Sequence, residues 1–466
     1  MSKLSRRGLL PLLGALTCSV PAFAAVRPTQ VDAKQDPAVA SLERLGNAVQ
    51  RVTLDNGLRV VLNPDRAAPT VAVSVTYGVG SSSEALGRTG FAHLFEHMMF
   101  QGSEHAKKGE HFKLISERGG SLNGTTNSDR TNYYEVLPAN ELELALWLEA
   151  DRMRSLAVTP ENFENQRAVV EEEYRMRVQN QAYVPGMMRL GELVFKDYSP
   201  YAHDTIGSMA DLDAAKFDWV KEFHDQHYAS DNAVLTIAGD FDPERTLKLV
   251  KNYFSRAARK NTPALVFPPM PNQPNAARDT VRDHNARTPG VIYGFMIPPA
   301  RAPGHYALEL AGTLLANGES SRLYKELVHD RATAESVSAW TEDHRGPDQF
   351  SVMAVLTDKG QLPEVEAAID AQLTRLRNAP PTAQELDKAK RQLRASFVFG
   401  LQTNMGRAIQ LGEFETNFGD ARLLAHELGR YLAVTPKDVQ DAAQLWLTPE
   451  RASRVEILPT AKESKR

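Results

Sequence analysis

The stretch Gly87–Phe100, GRTGFAHLFEHMMF, places two histidines and a glutamate inside a run that otherwise has the spacing of a buried helix. At about 100° per residue, Phe91, Leu94, Phe95, Met98 and Met99 share one face, and His93, Glu96 and His97 share the opposite one. Histidines at i and i+4 lie one turn apart, so both rings can reach a single ion, with Glu96 beside them as a proton acceptor. A solvated polar face could carry the same residues. However, HxxEH arises by chance in on the order of one chain in fifty of this length, and this polar face is narrow, bordered by Phe100. The chemistry indicated is metal binding with an adjacent base.

A catalytic zinc site takes three protein ligands and leaves a fourth position for water. Cys18 is the chain's single cysteine and falls in the N-terminal export signal described below, so the third ligand must be His, Asp or Glu on another element. The segment ENFENQRAVVEEEYRMR offers Glu171, Glu172 and Glu173. In helical projection Phe163, Val170 and Tyr174 define its buried side, with Val169 and Met176 extending it. Glu173 falls inside that arc, Glu171 points away and Glu172 lies outside it, while Gln166 shares the face of Glu173. A carboxylate turned into a core needs a charged partner, and a zinc ion would be one.

The elements that must position these residues are mixed. RVTLDNGLRVVL has two apolar runs about Asp55-Asn56-Gly57, a hairpin signal, and TVAVSVTYGVG alternates as a half-buried strand. Helical stretches follow at 90–100, 111–118, 141–155 and 159–178, then the strand NAVLTIAGDF and a helix capped by Asp242 with Pro243 at its first position. Between Ser255 and Pro289, prolines and polar residues crowd and no helical period survives. Beyond this stretch the element order repeats. GVIYGFMIPPA is a strand, YALELAGTLLANGESSRLYKELV a helix pair, QFSVMAVLTD a strand, PEVEAAIDAQLTRL a helix, and PTAQELDKAKRQLRASFVFG a long helix opened by a Thr382/Glu385 capping box. The fold class expected is α+β: two duplicated mixed domains enclosing a cleft or chamber, with the chemistry kept in the first copy. The expected boundaries are an export signal at 1–24, an N-terminal extension at 25–45, the metal-bearing domain at 46–258, a linker at 259–285 and the second domain at 286–462.

Lys3, Arg6 and Arg7, the apolar run Leu9–Val20 and the small-x-small site Ala22-Phe23-Ala24 form that signal, compatible with either Sec or twin-arginine export. A periplasmic location is expected. Removal of three basic residues takes the formal charge from −4 to −7, and neither value gives an electrostatic footprint for nucleic acid. After the signal no apolar run is long enough to span a bilayer. With 42% apolar residues, the 466-residue chain can build more than one core.

The combination of GxxHxxEHMxFxGS from Gly90, GGSLNGTTNSDRTNYY from Gly119 and QRAVVEEE from Gln166 resembles the inverted-motif zinc peptidases, the family of pitrilysin, insulin-degrading enzyme and mitochondrial processing peptidase. The resemblance runs over nearly the whole mature chain and implies one zinc per chain, held by His93, His97 and Glu173, with Glu96 as general base. Such a zinc makes its water acidic near neutral pH, and Glu96 is placed to take up the proton. SLNGTTNSDRTNYYEV is similar to the family's segment that binds peptide as an added strand, which points to Asn123, Gly124 and Thr125 as substrate contacts. Two departures stand out. Gln166 replaces a common glutamate, so only a hydrogen-bonding role behind the ligands is expected of it. In the second half, Val328 and Glu335 occupy positions where active relatives often carry an Arg and a Tyr that hold the substrate carbonyl; Arg322 and Tyr324 match another part of the pattern. Stabilising a developing oxyanion is often the largest catalytic contribution, so the expected enzyme is the zinc-bearing subunit of a pair whose homologous partner supplies the clamp. The competing reading is a non-catalytic peptide-binding or scaffolding subunit.

Overall fold

The computed structural model describes residues 36–271 and 276–460, so the expected export signal lies outside the described residues. The apolar runs expected as strands pair as their alternation requires. Asp55-Asn56-Gly57 turns β1 (Gln50–Thr53) onto β2 (Arg59–Pro64), with Gly57 at φ +88° where a side chain would be strained. They join β3 (Thr70–Tyr77), β4 (Ser121–Thr126), β5 (Thr131–Pro138) and β6 (Ala233–Gly239) in the order β1-β2-β6-β3-β5-β4. A second sheet holds β7 (Arg278–Asp283), β8 (Gly290–Ile297), β9 (Ala334–Thr341), β10 (Asp348–Leu356) and β11 (Ser453–Pro459) in the order β7-β11-β8-β10-β9.

The second sheet repeats the first without β1. In each, one parallel pair (β2/β6, then β7/β11) is followed by antiparallel pairing inward and out to a hairpin whose first strand is the free edge, β4 or β9. The fold is α+β, with the duplication expressed in topology.

Each half also lends a helix to the other. The Asn404–Phe418 helix of the second half lies across β3 and β6 of the first, with Ala408 packed on Ala72 and Ala238. Gly412 permits the approach, since a Cβ there would stand 2.8 Å from Thr76 Oγ1. Arg51 clamps Glu415 of this helix through two bonds of 2.7 and 2.8 Å. Reciprocally, the Val184–Val194 helix of the first half lies on β8 and β11, its Leu190 and Val194 packed with Ile292, Val455 and Ile457. A Cβ on Gly294 would meet Val194 at 2.7 Å.

Two expectations about connecting segments differ. The stretch read as a linker, 259–285, ends in β7, and the stretch read as an N-terminal extension, 25–45, contains most of a helix, Pro37–Ala48, which packs on the helix Leu424–Ala433. RDTVRD has one apolar residue and no legible alternation; it is a strand because β11 offers a parallel edge to pair with. Among the described residues no helix is long and apolar enough to cross a membrane.

Candidate metal centre and peptide cleft

The helix Phe91–Met98 starts after Gly90, whose φ of +91° turns the chain sharply out of the preceding loop. Glu84 fixes the start by accepting from Gly90 N (2.8 Å) and Ala92 N (2.7 Å). Phe91, Leu94, Phe95, Met98 and Met99 are all buried, Phe95 against Phe223 and Tyr228. Anchoring that face leaves His93, Glu96 and His97 on the wall of a cavity of about 880 Å³.

The glutamates separate as projected. Glu173, on the helix Pro160–Tyr174, turns inward, with Oε2 at 3.1 Å from His97 Nε2 and 3.7 Å from His93 Nε2. Glu172 is exposed on the cavity's lining and pairs with Arg175, with no oxygen in the group of converging donor atoms. Three donor atoms bound to one tetrahedral zinc at ~2.0–2.1 Å stand about 3.3 Å apart, so the spacing of His93, His97 and Glu173 suits that ion. The electrostatics suit it as well. Burial, followed by the neighbouring His97, pushes the His93 pKa down to about 4, leaving a neutral imidazole. The hydrogen bond with His97 holds Glu173 below the usual carboxylate range despite its burial. A neutral histidine and an ionised carboxylate are the protonation states metal ligation requires.

Glu96 lies beside this group and accepts from Thr126 Oγ1 at 2.5 Å. Burial raises its pKa, and the Thr126 bond opposes that rise. A raised pKa makes a carboxylate a better proton acceptor.

Asn123, Gly124, Thr125 and Thr126 line the same cavity from β4, the free edge of the first sheet. A Cβ on Gly124 would stand 3.0 Å from Glu96 Cγ, so the glycine is what allows the edge strand to run against the carboxylate. The side chain of Asn123 turns back onto Gly124 N (2.9 Å), and Arg130 holds Thr125 through its carbonyl (3.1 Å) and hydroxyl (2.7 Å).

Some expectations need correction. Val169 and Met176 were expected to extend the buried side of the helix, but they are exposed and line the cavity. Val169 lies in the regular part of the helix and is exposed because that face meets the open cavity, while Met176 lies in the π-turn Arg175–Gln179, where the register of a uniform projection no longer holds. Gln166 is buried as expected, but its amide donates to Asn165 (2.7 Å), and His93 Nδ1 is buried without a hydrogen-bond partner. Arg177, whose Nε is 2.9 Å from Glu173 Oε1, went unread because its position shares no sequence motif with the histidines. Arg322 is held by Glu385 in a two-bond pair at 2.8 and 3.0 Å, which gives it a structural partner, while Val328 packs on the second core and Glu335 is exposed.

Residues 59–190 match the family model Insulinase (Peptidase family M16), and residues 215–393 match Peptidase M16 inactive domain. The zinc protease PqqE of Helicobacter pylori is 30% identical over 358 residues, 76% of this chain and 80% of that protein. The chain belongs to the insulinase (M16) peptidase family. Among solved structures, a protease from Helicobacter pylori superposes with a TM-score of 0.83 at 27% identity, covering 88% of this chain and 99% of that one. The Escherichia coli periplasmic protease PqqL gives a TM-score of 0.71 at 18% identity, and there 88% of this chain covers only 47% of the other. The M16 fold of this chain is therefore one half of the longer PqqL architecture.

Proposed function

We infer that the protein is an exported zinc-dependent endopeptidase that cleaves peptides or unfolded segments, acting as the zinc-bearing subunit of a two-chain enzyme. The observation that carries this reading is the convergence of His93, His97 and Glu173 around one point, with Glu96 and the β4 edge on the same cavity. Bound zinc supplies Lewis acidity toward a scissile carbonyl and makes a water acidic. The remaining work belongs to the chain. His93, His97 and Glu173 hold the ion, and Arg177 fixes the outer oxygen of Glu173. Glu96 takes the proton from the attacking water and returns it to the leaving amine, so no covalent enzyme intermediate is needed. The β4 edge receives the peptide as an added strand through main-chain groups, and Val169 and Met176 offer apolar contact to its side chains.

Export rests on the first 24 residues. The two-chain reading rests on Val328 and Glu335 standing where an Arg/Tyr clamp would be, and on the chain spanning 47% of PqqL. Purified alone, the protein is expected to cleave an unfolded peptide slowly, and a homologous chain carrying the Arg/Tyr pair is expected to accelerate it. Full activity in the solitary chain would remove the partner from the account. A zinc chelator should abolish cleavage and zinc should restore it; cleavage that survives metal removal would refute the zinc mechanism, and none under any condition would favour the scaffolding reading. Gly124→Val should lower kcat/KM by about 10- to 100-fold, the effect of a displacement near 1 Å at a reacting group, with zinc content unchanged. An unaltered kcat/KM would place the peptide elsewhere.

A further inference from the structure

The helices Phe91–Met98 and His305–Ala316 are the same element in the two copies. Each follows the matching strand, β3 or β8, and each starts after a glycine of similar backbone angle, φ +91° at Gly90 and +89° at Gly304. Both carry donors at i and i+4, but His93 and His97 occupy the third and seventh positions, whereas His305 and Glu309 occupy the first and fifth. The second pair therefore faces another direction. It is not a remnant of the first.

His305 is almost fully buried, and both of its ring nitrogens face oxygen acceptors. Nε2 is 3.2 Å from Asp343 Oδ1, and Nδ1 is 3.4 Å from the Pro298 carbonyl and 3.7 Å from Asp348 Oδ2. A neutral imidazole has one N–H and cannot serve both sides, so the pair of acceptors calls for a proton or a cation. Asp348 is held by backbone N–H groups of Asp343 (3.1 Å) and Gln349 (2.8 Å). One nitrogen on a carbonyl or fixed carboxylate and the other turned to further donors is how metal-binding histidines are oriented. Glu309 stands one turn from His305 and accepts from Tyr431, and donor atoms of His305, Glu309 and Asp343 lie within 4.8 Å of one another.

What separates this cluster from the other histidine–carboxylate groups is that only imidazoles, and no Lys or Arg, face its carboxylates: His305 and His344, whose Nδ1 is 3.5 Å from Asp348 Oδ1. In His111–Glu135–Glu149 the cation is Arg152, bonded to Glu149, and in Glu104–His105–Asp151 it is Arg154, 2.9 Å from Asp151. Among the described residues no Lys or Arg forms an ion pair with Glu309, Asp343 or Asp348; Arg301 and Arg430 pair with Glu427. The cluster borders a cavity of about 330 Å³ through which an ion could enter.

We propose that His305, Glu309 and Asp343 form a second divalent-cation site, of the zinc class, in the second half of the chain. One imidazole and two carboxylates are a donor set zinc accepts. The site also has a structural reach. Asp343 lies in the loop whose Arg345 N donates to Asp129 (2.7 Å) and whose Gly346 N donates to Tyr201 Oη (2.9 Å), and Asp129 lies in the turn that follows β4. A cation on Asp343 ties down the loop that braces the peptide-binding hairpin.

This proposal stands whether or not the first-half site binds zinc. The test is the zinc retained by the full chain after gel filtration in metal-free buffer, counted by mass spectrometry. A His93→Ala/His97→Ala double variant is expected to keep one equivalent, and adding Asp343→Asn or His305→Ala to it should reduce that to none. Asp343 is exposed, so its variant should fold normally even if the buried His305 cannot be replaced. A double variant that keeps no zinc, or an equivalent that survives both second-half substitutions, overturns the site and leaves His305 as a protonated ion-pair partner.

Discussion

Glu96→Gln is expected to lower kcat by about 10²–10⁴-fold, the usual contribution of a positioned general base, while first-half zinc content stays at the wild-type level. The amide nearly matches the carboxylate in volume and can still accept from the Thr126 hydroxyl, which stands 2.5 Å from Glu96 Oε2, so the cavity wall should not move. It cannot take up a proton. KM for a peptide held on β4 should change little, because the contacts proposed for the main chain lie on Asn123, Gly124 and Thr125. Steady-state kinetics with zinc analysis on the same preparation separates the outcomes. Unaltered cleavage removes Glu96 as base, and zinc loss would make it a ligand.

Glu173→Gln should act on the metal itself. Its two oxygens are divided, Oε2 toward His97 at 3.1 Å and Oε1 toward Arg177 at 2.9 Å, and an amide is a weaker ligand than an ionised carboxylate. Changing a contact behind the ligands typically costs 10–100-fold in metal affinity. Loss of a direct ligand should exceed about 100-fold, leaving a purified variant that lacks zinc in the first half and is inactive. Glu172→Gln is the control one residue away: exposed, paired with Arg175 and absent from the converging donor set, it should leave zinc affinity at the wild-type value. Equal effects from the two substitutions would refute the assignment of Glu173.

The contrast between Glu172 and Glu173 also shows what a sequence can carry. The 3.6-residue period set His93, Glu96 and His97 on the face opposite Phe91, Leu94 and Phe95, and it turned Glu173 inward, because apolar anchoring on one side of a helix dictates the other. Capping chemistry was equally local: Asp242 and Thr382 start their helices in the structure as their sequences require. The misreadings arise where distant chain segments decide. Val169 and Met176 look like core residues in a regular helix, but the open cleft leaves both at the surface, and Met176 also sits in the π-turn that begins at Arg175. The Asn404–Phe418 helix hides its destination. It packs on a sheet face of Ala72, Thr76, Thr236 and Ala238, where small residues replace the large apolar ones that mark a core stripe. β7 exists only because β11, from the far end of the chain, comes to lie beside it. The His305 cluster likewise draws Asp343 and Tyr431 from separate elements, and no spacing in the sequence joins them.

The most direct measurement is an anomalous difference map, collected at the zinc absorption edge from crystals of the zinc-loaded protein. The account predicts a peak within about 2.0–2.2 Å of His93 Nε2, His97 Nε2 and Glu173 Oε2, the bond lengths of zinc to nitrogen and oxygen ligands, with Glu96 outside bonding distance. Zinc-loaded crystals with no peak between those three residues, or with a peak bonded to Glu96, would contradict it.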